Sequence, residues 1–581
     1  MDTQGNQRAV GPMRSQERFS DPNFYGMMLR AATKSMGFSD ADMRRPVIGI
    51  AQTWSELNHC NSHLREVADW VKRGVWQAGG MPLEFPTISL GEFAMRPNTM
   101  FYRNLMAMDT EEMIRAHPID GVVLLGNCDK TVPAQLMGAA SADVPALVVT
   151  GGPALTGSYR GQTLGACTDC RRLWSEYRSG TISRHDIAEV EDELFPSHGS
   201  CTVMGTASTM ACLAEALGMA LPGSAAIPAP DARRLRMAEQ AGITMVDAAL
   251  KGRRPSAIMT RAAFENAIRV LMAIGGSTNG VIHLTAIAGR LGIDLDLGMF
   301  DAISKSTPML VNLKPSGAFQ MPEFFRAGGV PAVMHEIRGL LRETATTMAG
   351  RTIGEIAEQG ESQDRTVISP FDTPLQPEGG TAVLRGNIAP RGCVIKQSAA
   401  SPRFQKHQGR AVVFHSVADL NARIDAPDLD VDEECVLVLL NSGPVGGPGM
   451  PESGFLPIPK KLLERGVRDM VRISDARMSG TAYGTVVLHI TPEAAIGGPL
   501  AAVRDGDLID LNVEARSLHL LISDDELLRR LGEWTPPRQS YARGYWRLYE
   551  QHVLQADQGC DFDFLRAVPE HTAGGTMRVA Q

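Results

Sequence analysis

The sequence predicts an α/β protein in two parts, an N-terminal α/β/α domain on a parallel sheet and a C-terminal β-barrel-like domain. Three observations lead there. In the first part, short apolar runs alternate with amphipathic stretches of helical period, the alternation that a parallel sheet with crossover helices requires. Around 360–380 the composition turns to Gln359-Gly360-Glu361-Ser362-Gln363-Asp364 and Gln376-Pro377-Glu378-Gly379-Gly380, which reads as loop or linker. Beyond it the apolar runs are short, β-rich and separated by Gly and Pro clusters, as in a barrel or sandwich. The domains are therefore drawn at 1–375 and 376–581.

The first apolar run, 46–51, reads as a buried strand. The stretch 62–77 then sets Leu64, Val67, Trp70, Val71 and Val75 at helical spacing. A second unit follows, with a strand at 83–90 and a helix at 99–117, and a third opens with the strand 121–126. Ligands of such sheets bind beyond the carboxyl ends of the strands, and Cys60 and Cys128 both fall there. Cys201 heads a helical pattern over 204–219, where helix N-terminal amides favour a thiolate. In the C-terminal part, 381–385, 411–415, 435–440, 470–473, 485–490 and 508–513 read as strands.

Composition bounds the function. The chain is 44% hydrophobic and 21% charged with a formal charge of -8, so it lacks the basic excess that nucleic-acid phosphates select. No apolar stretch approaches the roughly 18 residues needed to span a bilayer. Arg8, Arg14 and Arg18 are not followed by an apolar leader core, so a cytoplasmic protein is expected. Nine cysteines, odd in number and thinly spread, make no disulfide framework and leave thiols free to ligate metal.

Three of those cysteines carry the chemistry: Cys60 in Asn58-His59-Cys60-Asn61, Cys128 in Gly126-Asn127-Cys128-Asp129-Lys130, and Cys201 in His198-Gly199-Ser200-Cys201-Thr202. Each lies at the end of an element, as an iron–sulfur nest requires, and Asp129 puts a hard carboxylate beside a soft thiolate. Cys212, Cys393, Cys435 and Cys560 read instead as small buried hydrophobes. Cys167-Thr168-Asp169-Cys170 lacks the second pair of a zinc site and a thioredoxin-like strand, so a structural role is expected and the pair is left outside the site. Gly446-Gly447-Pro448-Gly449 lacks the lysine and Ser/Thr of a phosphate loop and reads as a turn that presents Glu452. Gly275-Gly276-Ser277-Thr278-Asn279 is either a helix cap or a contact to cluster or substrate. His59, His63 and His198 are solvated loop histidines or donors to the thiolates.

Four segments together, Asn127-Cys128-Asp129-Lys130-Thr131-Val132-Pro133, Gly275-Gly276-Ser277-Thr278-Asn279-Gly280, Gly446-Gly447-Pro448-Gly449-Met450-Pro451-Glu452 and Ser474-Asp475-Ala476-Arg477-Met478-Ser479-Gly480-Thr481, resemble the family that comprises the dihydroxy-acid, phosphogluconate and aldonate dehydratases. The resemblance runs nearly end to end and is strongest to pentonate-type members such as the L-arabinonate dehydratases. It implies that Cys60, Cys128 and Cys201 hold a [2Fe–2S] cluster, with [4Fe–4S] as the alternative, and leave one iron open. It implies that Glu92, Asp129, Glu452 and a carbamoylated Lys130 hold Mg2+, that Ser479 is the catalytic base, and that the chain forms a homodimer or homotetramer. One departure stands out: many dihydroxy-acid dehydratases have Ser-Asp-Gly where this chain has Ser89-Leu90-Gly91-Glu92, so the carboxylate has moved two residues on. The activity implied is dehydration of a sugar acid to its 2-keto-3-deoxy acid. The alternatives are the branched-chain dihydroxy-acid dehydratase of the same family, an iron–sulfur redox or sensor protein, and a zinc enzyme built on Cys167 and Cys170. Glu92, Asp129, Glu452 and Ser479 weigh against a sensor, which needs neither a hard-metal site nor a base.

Overall fold

The computed structural model describes residues 13–537 and 541–567; Arg8 lies outside them. Four parallel strands, β1 (Val47–Gln52), β2 (Met81–Pro86), β3 (Gly121–Gly126) and β4 (Ala146–Thr150), form one sheet in the order β2-β1-β3-β4. Every residue of β1, β3 and β4 is buried, which explains their unbroken apolar runs: helices cover both faces of a parallel sheet. The first crossover helix, Leu64–Gln77, buries Leu64, Val67, Val71 and Val75.

Two sequence expectations shift here, and both shifts bear on the site. The strand expected at 83–90 is Met81–Pro86, because its neighbour β1 ends at Gln52, which pairs with Pro86. Ser89 to Glu92 thus leave the sheet as loop, with the Ser89 hydroxyl bonded to the Thr53 carbonyl at 2.7 Å. The helix expected from residue 204 runs Thr206–Ala216, so Cys201 lies ahead of its first turn in an irregular segment that bridges to Pro153 through Ser200.

The C-terminal part is a closed eight-stranded barrel. Its strands follow round the wall as Val436–Leu439, Val471–Ser474, Val486–Thr491, Ala389–Ile395, Ala382–Gly386, Ser517–Leu520, Leu508–Asn512 and Lys406–Phe414. All six runs expected from the sequence are strands. Closure leaves no strand edge free, and residues such as Leu384, Ile395, Val413, Val438, Ile473 and Val487 fill one buried cluster. No helix of the described residues is long and apolar enough to cross a membrane.

Candidate active site

Cys60 is fixed by its neighbours. The Asn58 side chain accepts from the Cys60 amide at 3.2 Å and donates to the Leu90 carbonyl at 2.8 Å, tying this loop to the one that carries Glu92. Asn127 donates to the Cys60 carbonyl at 2.9 Å, so the residue before Cys128 holds the loop of the first thiol. A cavity of about 360 Å³ is lined by Cys60, Cys128, Cys201, Glu92, Asp129, Glu452 and Ser479. Lys130, the remaining expected site residue, is fully buried with its Nζ 3.3 Å from Glu92, 3.4 Å from Asp129 and 3.5 Å from Glu452. The cysteines, Glu92 and Asp129 come from the sheet part and Glu452 and Ser479 from the barrel part, so neither half contains the site alone.

The thiol wall and the carboxylate wall differ in charge. Contact with Cys128, burial and the nearby Asp129 push the Cys60 thiol far up. At Cys201 a hydrogen bond from Cys167 pulls the other way, but burial and the charges of Asp129 and the neighbouring thiols outweigh it and the thiol is raised. The expected helix-end stabilisation of a Cys201 thiolate is therefore not what the fold provides: the helix starts too far on. Buried thiols held neutral fit a soft cation, which deprotonates its own ligands on binding.

On the other wall the carboxylates surround cations. Burial pushes the Asp129 carboxyl up to about 6 against the pull of Lys130. Burial would also raise Glu452, but Arg477 and Lys130 outweigh it and hold that carboxyl low. Lys130 keeps its proton more firmly than an ordinary lysine despite its burial and the repulsion of Arg477, because Glu92, Asp129 and Glu452 face it. Arg477 reaches Glu452 at 2.5 Å and Glu92 at 3.9 Å, and Thr99 donates a hydroxyl to Glu92. Among the described residues no three side chains stand ready as a metal-binding group. The lysine ammonium takes the centre of the carboxylates, whose all-oxygen donor set suits a hard divalent ion.

Ser479 sits on the loop after Val471–Ser474, with its hydroxyl 2.8 Å from that of Thr481. That loop is clamped from the other half. A Cβ on Gly480 would stand 2.6 Å from the Ser277 Cβ and 2.8 Å from the Thr206 amide, so only glycine lets the loop approach so closely. Asn279 donates to the Met478 carbonyl at 3.2 Å, and Thr168 donates to the Thr481 carbonyl at 2.8 Å. The Gly275–Asn279 segment, open between two readings in the sequence, is thus both a helix start and the seat of the serine loop. The glycine-rich turn leads into a short 3-10 turn, Glu452–Gly454. Gly449, in the glycine-rich turn, adopts φ +81°, and a Cβ on it would collide with the Asn98 side chain and the Phe101 amide at the head of the helix Thr99–Ala116.

Sequence reasoning left out several residues that the fold brings in. Cys167 and Cys170 line the same cavity, with the Cys167 Sγ 3.0 Å from that of Cys201. A Cys-x-x-Cys without a second pair is a weak signal, and its third thiol stands 34 residues away in the chain. Arg171 and Trp174 follow on the helix Asp169–Arg178. Arg477 lies within the segment Ser474 to Thr481, but an arginine in a strand–loop connection carries no distinctive spacing that would single it out. Of the three histidines, His59 stands 3.5 Å from the Cys60 Sγ and stacks on Phe93; His63 bonds the Gly151 carbonyl at 3.0 Å and stacks on His198.

Residues 45–356 match the family described as "Dihydroxy-acid/6-phosphogluconate dehydratase N-terminal", and residues 366–560 its C-terminal counterpart. The chain is 53% identical to the "L-arabonate dehydratase" of Azospirillum brasilense, over 96% of this chain and 99% of that one. It is 51% identical to the "L-arabinonate dehydratase" of Rhizobium leguminosarum bv. trifolii, over 97% and 98%. The "6-deoxy-6-sulfo-D-gluconate dehydratase" of Pseudomonas putida is 47% identical, again over 97% and 98%.

Proposed function

Because the chain belongs to the dihydroxy-acid/6-phosphogluconate dehydratase family and is a hydro-lyase, we propose that it dehydrates a sugar acid, L-arabinonate or a related pentonate, to the 2-keto-3-deoxy acid. The observation that carries this reading is the convergence of three thiols, three carboxylates around Lys130, and Ser479 on one cavity. The full-length likeness to two pentonate dehydratases favours that substrate over a branched-chain dihydroxy acid.

Dehydration must remove the proton at C2 and expel hydroxide from C3, leaving an enol that tautomerises to the keto acid. In this reading Ser479 takes the C2 proton, and Thr481, 2.8 Å away, holds its hydroxyl in one orientation. A serine base must reach its alkoxide, which requires positive charge close by. A [2Fe–2S] cluster, or a [4Fe–4S] one, on Cys60, Cys128 and Cys201 and Mg2+ on Glu92, Asp129, Glu452 and the carbamate of Lys130 would supply Lewis acidity for the departing hydroxyl and the substrate carboxylate. Lys130 becomes that anionic donor only by losing two protons, one from the ammonium and a second as the amine bonds CO2, and its carboxylate neighbours resist the first loss as long as they face the ammonium. Arg477, buried and with its Nε and Nη2 free of hydrogen bonds among the described residues, adds a fixed positive charge beside Glu452. The same reading expects a cytoplasmic homo-oligomer, dimer or tetramer, with domains 1–375 and 376–581 closing on the substrate between them. A panel of pentonates, hexonates and branched-chain dihydroxy acids, followed by keto-acid formation, tests it. Preference for the branched-chain acid would overturn the substrate assignment.

A further inference from the structure

A second cavity, of about 380 Å³, lies beside the first and shares Arg171 and Trp174 with it. It opens between the helix Asp169–Arg178 and the barrel, and five arginines line it: Arg171, Arg172, Arg178, Arg468 and Arg472. Three of them are neutralised. Arg178 pairs with Asp425 at 2.6 Å and Arg472 with Asp469 at 2.7 Å. Arg172 pairs with Glu176 at 2.8 Å and with Asp169, a carboxylate that also serves Lys314 at 2.6 Å. Arg171 and Arg468 have no carboxylate ion-pair partner among the described residues; Arg468 donates only to the carbonyls of Leu463 and Val467. The buried Nε atoms of Arg171 and Arg472 also lack a hydrogen-bond partner among the described residues. Both guanidinium groups stand over the Phe455 ring, at 5.0 and 4.8 Å from its centroid.

A concave site with surplus guanidinium charge, unused N–H donors and an aromatic backing is built for an oxyanion, since the planar fork of arginine matches phosphate, sulfonate or carboxylate. The first cavity already answers the single carboxylate of a plain sugar acid. We infer that the second cavity is an oxyanion-binding site whose ligand is either the far-end phosphate or sulfonate of an extended sugar acid or a free inorganic anion. This rests on the dehydratase reading only for the first source, because binding of free phosphate requires no turnover. Arg171 belongs to both cavities and acts on Glu452, so an anion in the second would be felt in the first.

The test uses Arg468→Gln, which touches only the second cavity, with Arg468→Lys as the conservative control and circular dichroism to verify folding. Calorimetric titration of metal-loaded enzyme with inorganic phosphate should show binding that Arg468→Gln weakens about tenfold or more and that Arg468→Lys partly restores. In parallel, KM is compared for a plain aldonate and its terminally phosphorylated counterpart. A lower KM for the phosphorylated acid, lost selectively in Arg468→Gln, makes the substrate tail the ligand; equal KM values with intact phosphate binding make it the free anion. If folded Arg468→Gln binds phosphate as the wild type does and treats both acids alike, the site does not exist as described. Absence of turnover on every sugar acid, with phosphate binding still sensitive to Arg468, would strike the dehydratase reading and leave the anion site standing.

Discussion

The two walls of the candidate-site cavity reach opposite conditions. The carboxylate wall is internally compensated: Glu92, Asp129 and Glu452 face Lys130, and Arg477 closes the pair with Glu452. On the thiol wall Cys60 and Cys201 are driven toward the neutral form, while Arg171 acts on Cys170, whose thiol is drawn down to about 7 chiefly by its hydrogen bond with Cys167. On the proposed reading, the carboxylate wall can persist without a metal because the Lys130 ammonium stands among its carboxylates, whereas Cys60 and Cys201 would gain charge only on binding a metal. Losses on the thiol wall should therefore be absolute and those on the carboxylate wall graded.

The largest expected effect follows. Cys60→Ser, Cys128→Ser and Cys201→Ser should each abolish activity and strip iron, since three ligands leave no redundancy. Cys167→Ser sharpens the comparison, because its sulfur lies 3.0 Å from that of Cys201 yet is read as no ligand. It should keep its iron by colorimetric assay and its visible absorption; equal iron loss in Cys167→Ser would make the nest four-membered.

Next in size is Ser479→Ala. It removes no group assigned to a metal, so iron, magnesium and substrate affinity should hold while turnover falls by ~10²-fold or more, the usual cost of losing a general base. Near-normal turnover at verified metal content would hand the proton to another group.

A graded loss is expected from chelation. EDTA that leaves the cluster spectrum intact should lower the rate, and added Mg2+ should restore it, because the ammonium of Lys130 can return to the centre of the carboxylates without unfolding the site. Lys130→Met denies that return. It leaves Asp129 and the partly exposed Glu92 and Glu452 with Arg477 and, at longer range, Arg171 as the remaining cations, so metal-free protein should lose stability by less than the ~3–5 kcal/mol of stripping a fully buried pair of its partner. A melting temperature unchanged by Lys130→Met would show that the carboxylates are neutralised in some other way.

How much of this was legible in the sequence differs between the halves for physical reasons. β1 and β3 were legible because strands buried on both faces must be apolar throughout, and six barrel strands were legible through β-rich runs; β4, as buried and as apolar, was not among the expected strands. The two barrel strands not foreseen lack that signal. Ala389–Ile395 carries Pro390, Arg391 and Gly392, the last at φ +119°, where the pairing with Val486–Thr491 shifts register. Ser517–Leu520 has four residues, alternates in burial and follows Arg516 in the left-handed region. The site residues named from motifs do converge, but those recruited by distance, Cys167, Thr99 and Arg171, could not be seen from spacing alone.

The smallest effect concerns a lysine that differs from Lys130 in one respect. Lys396 is also fully buried, but it has no carboxylate ion-pair partner among the described residues; its Nζ donates to the carbonyl of Gly480, next to Ser479, at 3.3 Å. Burial alone lowers it to about 7, while three carboxylates raise Lys130. The sign of the consequence is fixed by proton counts. Between about pH 7 and the ordinary lysine value of 10.5, the unfolded chain holds the Lys396 proton and the folded chain does not, so stability from this group rises with pH. Below pH 7 both states are protonated and the full cost of the buried charge is present. The slope in that window is at most ~1.4 kcal/mol per pH unit. Lys396→Met should therefore stabilise most at and below pH 7, with an advantage over the wild type that shrinks steadily toward pH 10. Thermal midpoints of both proteins across pH 6.5 to 10 give the difference directly and cancel the other titrating groups. Parallel curves would mean that Lys396 stays charged when folded, through water or an anion beside the Ser479 loop.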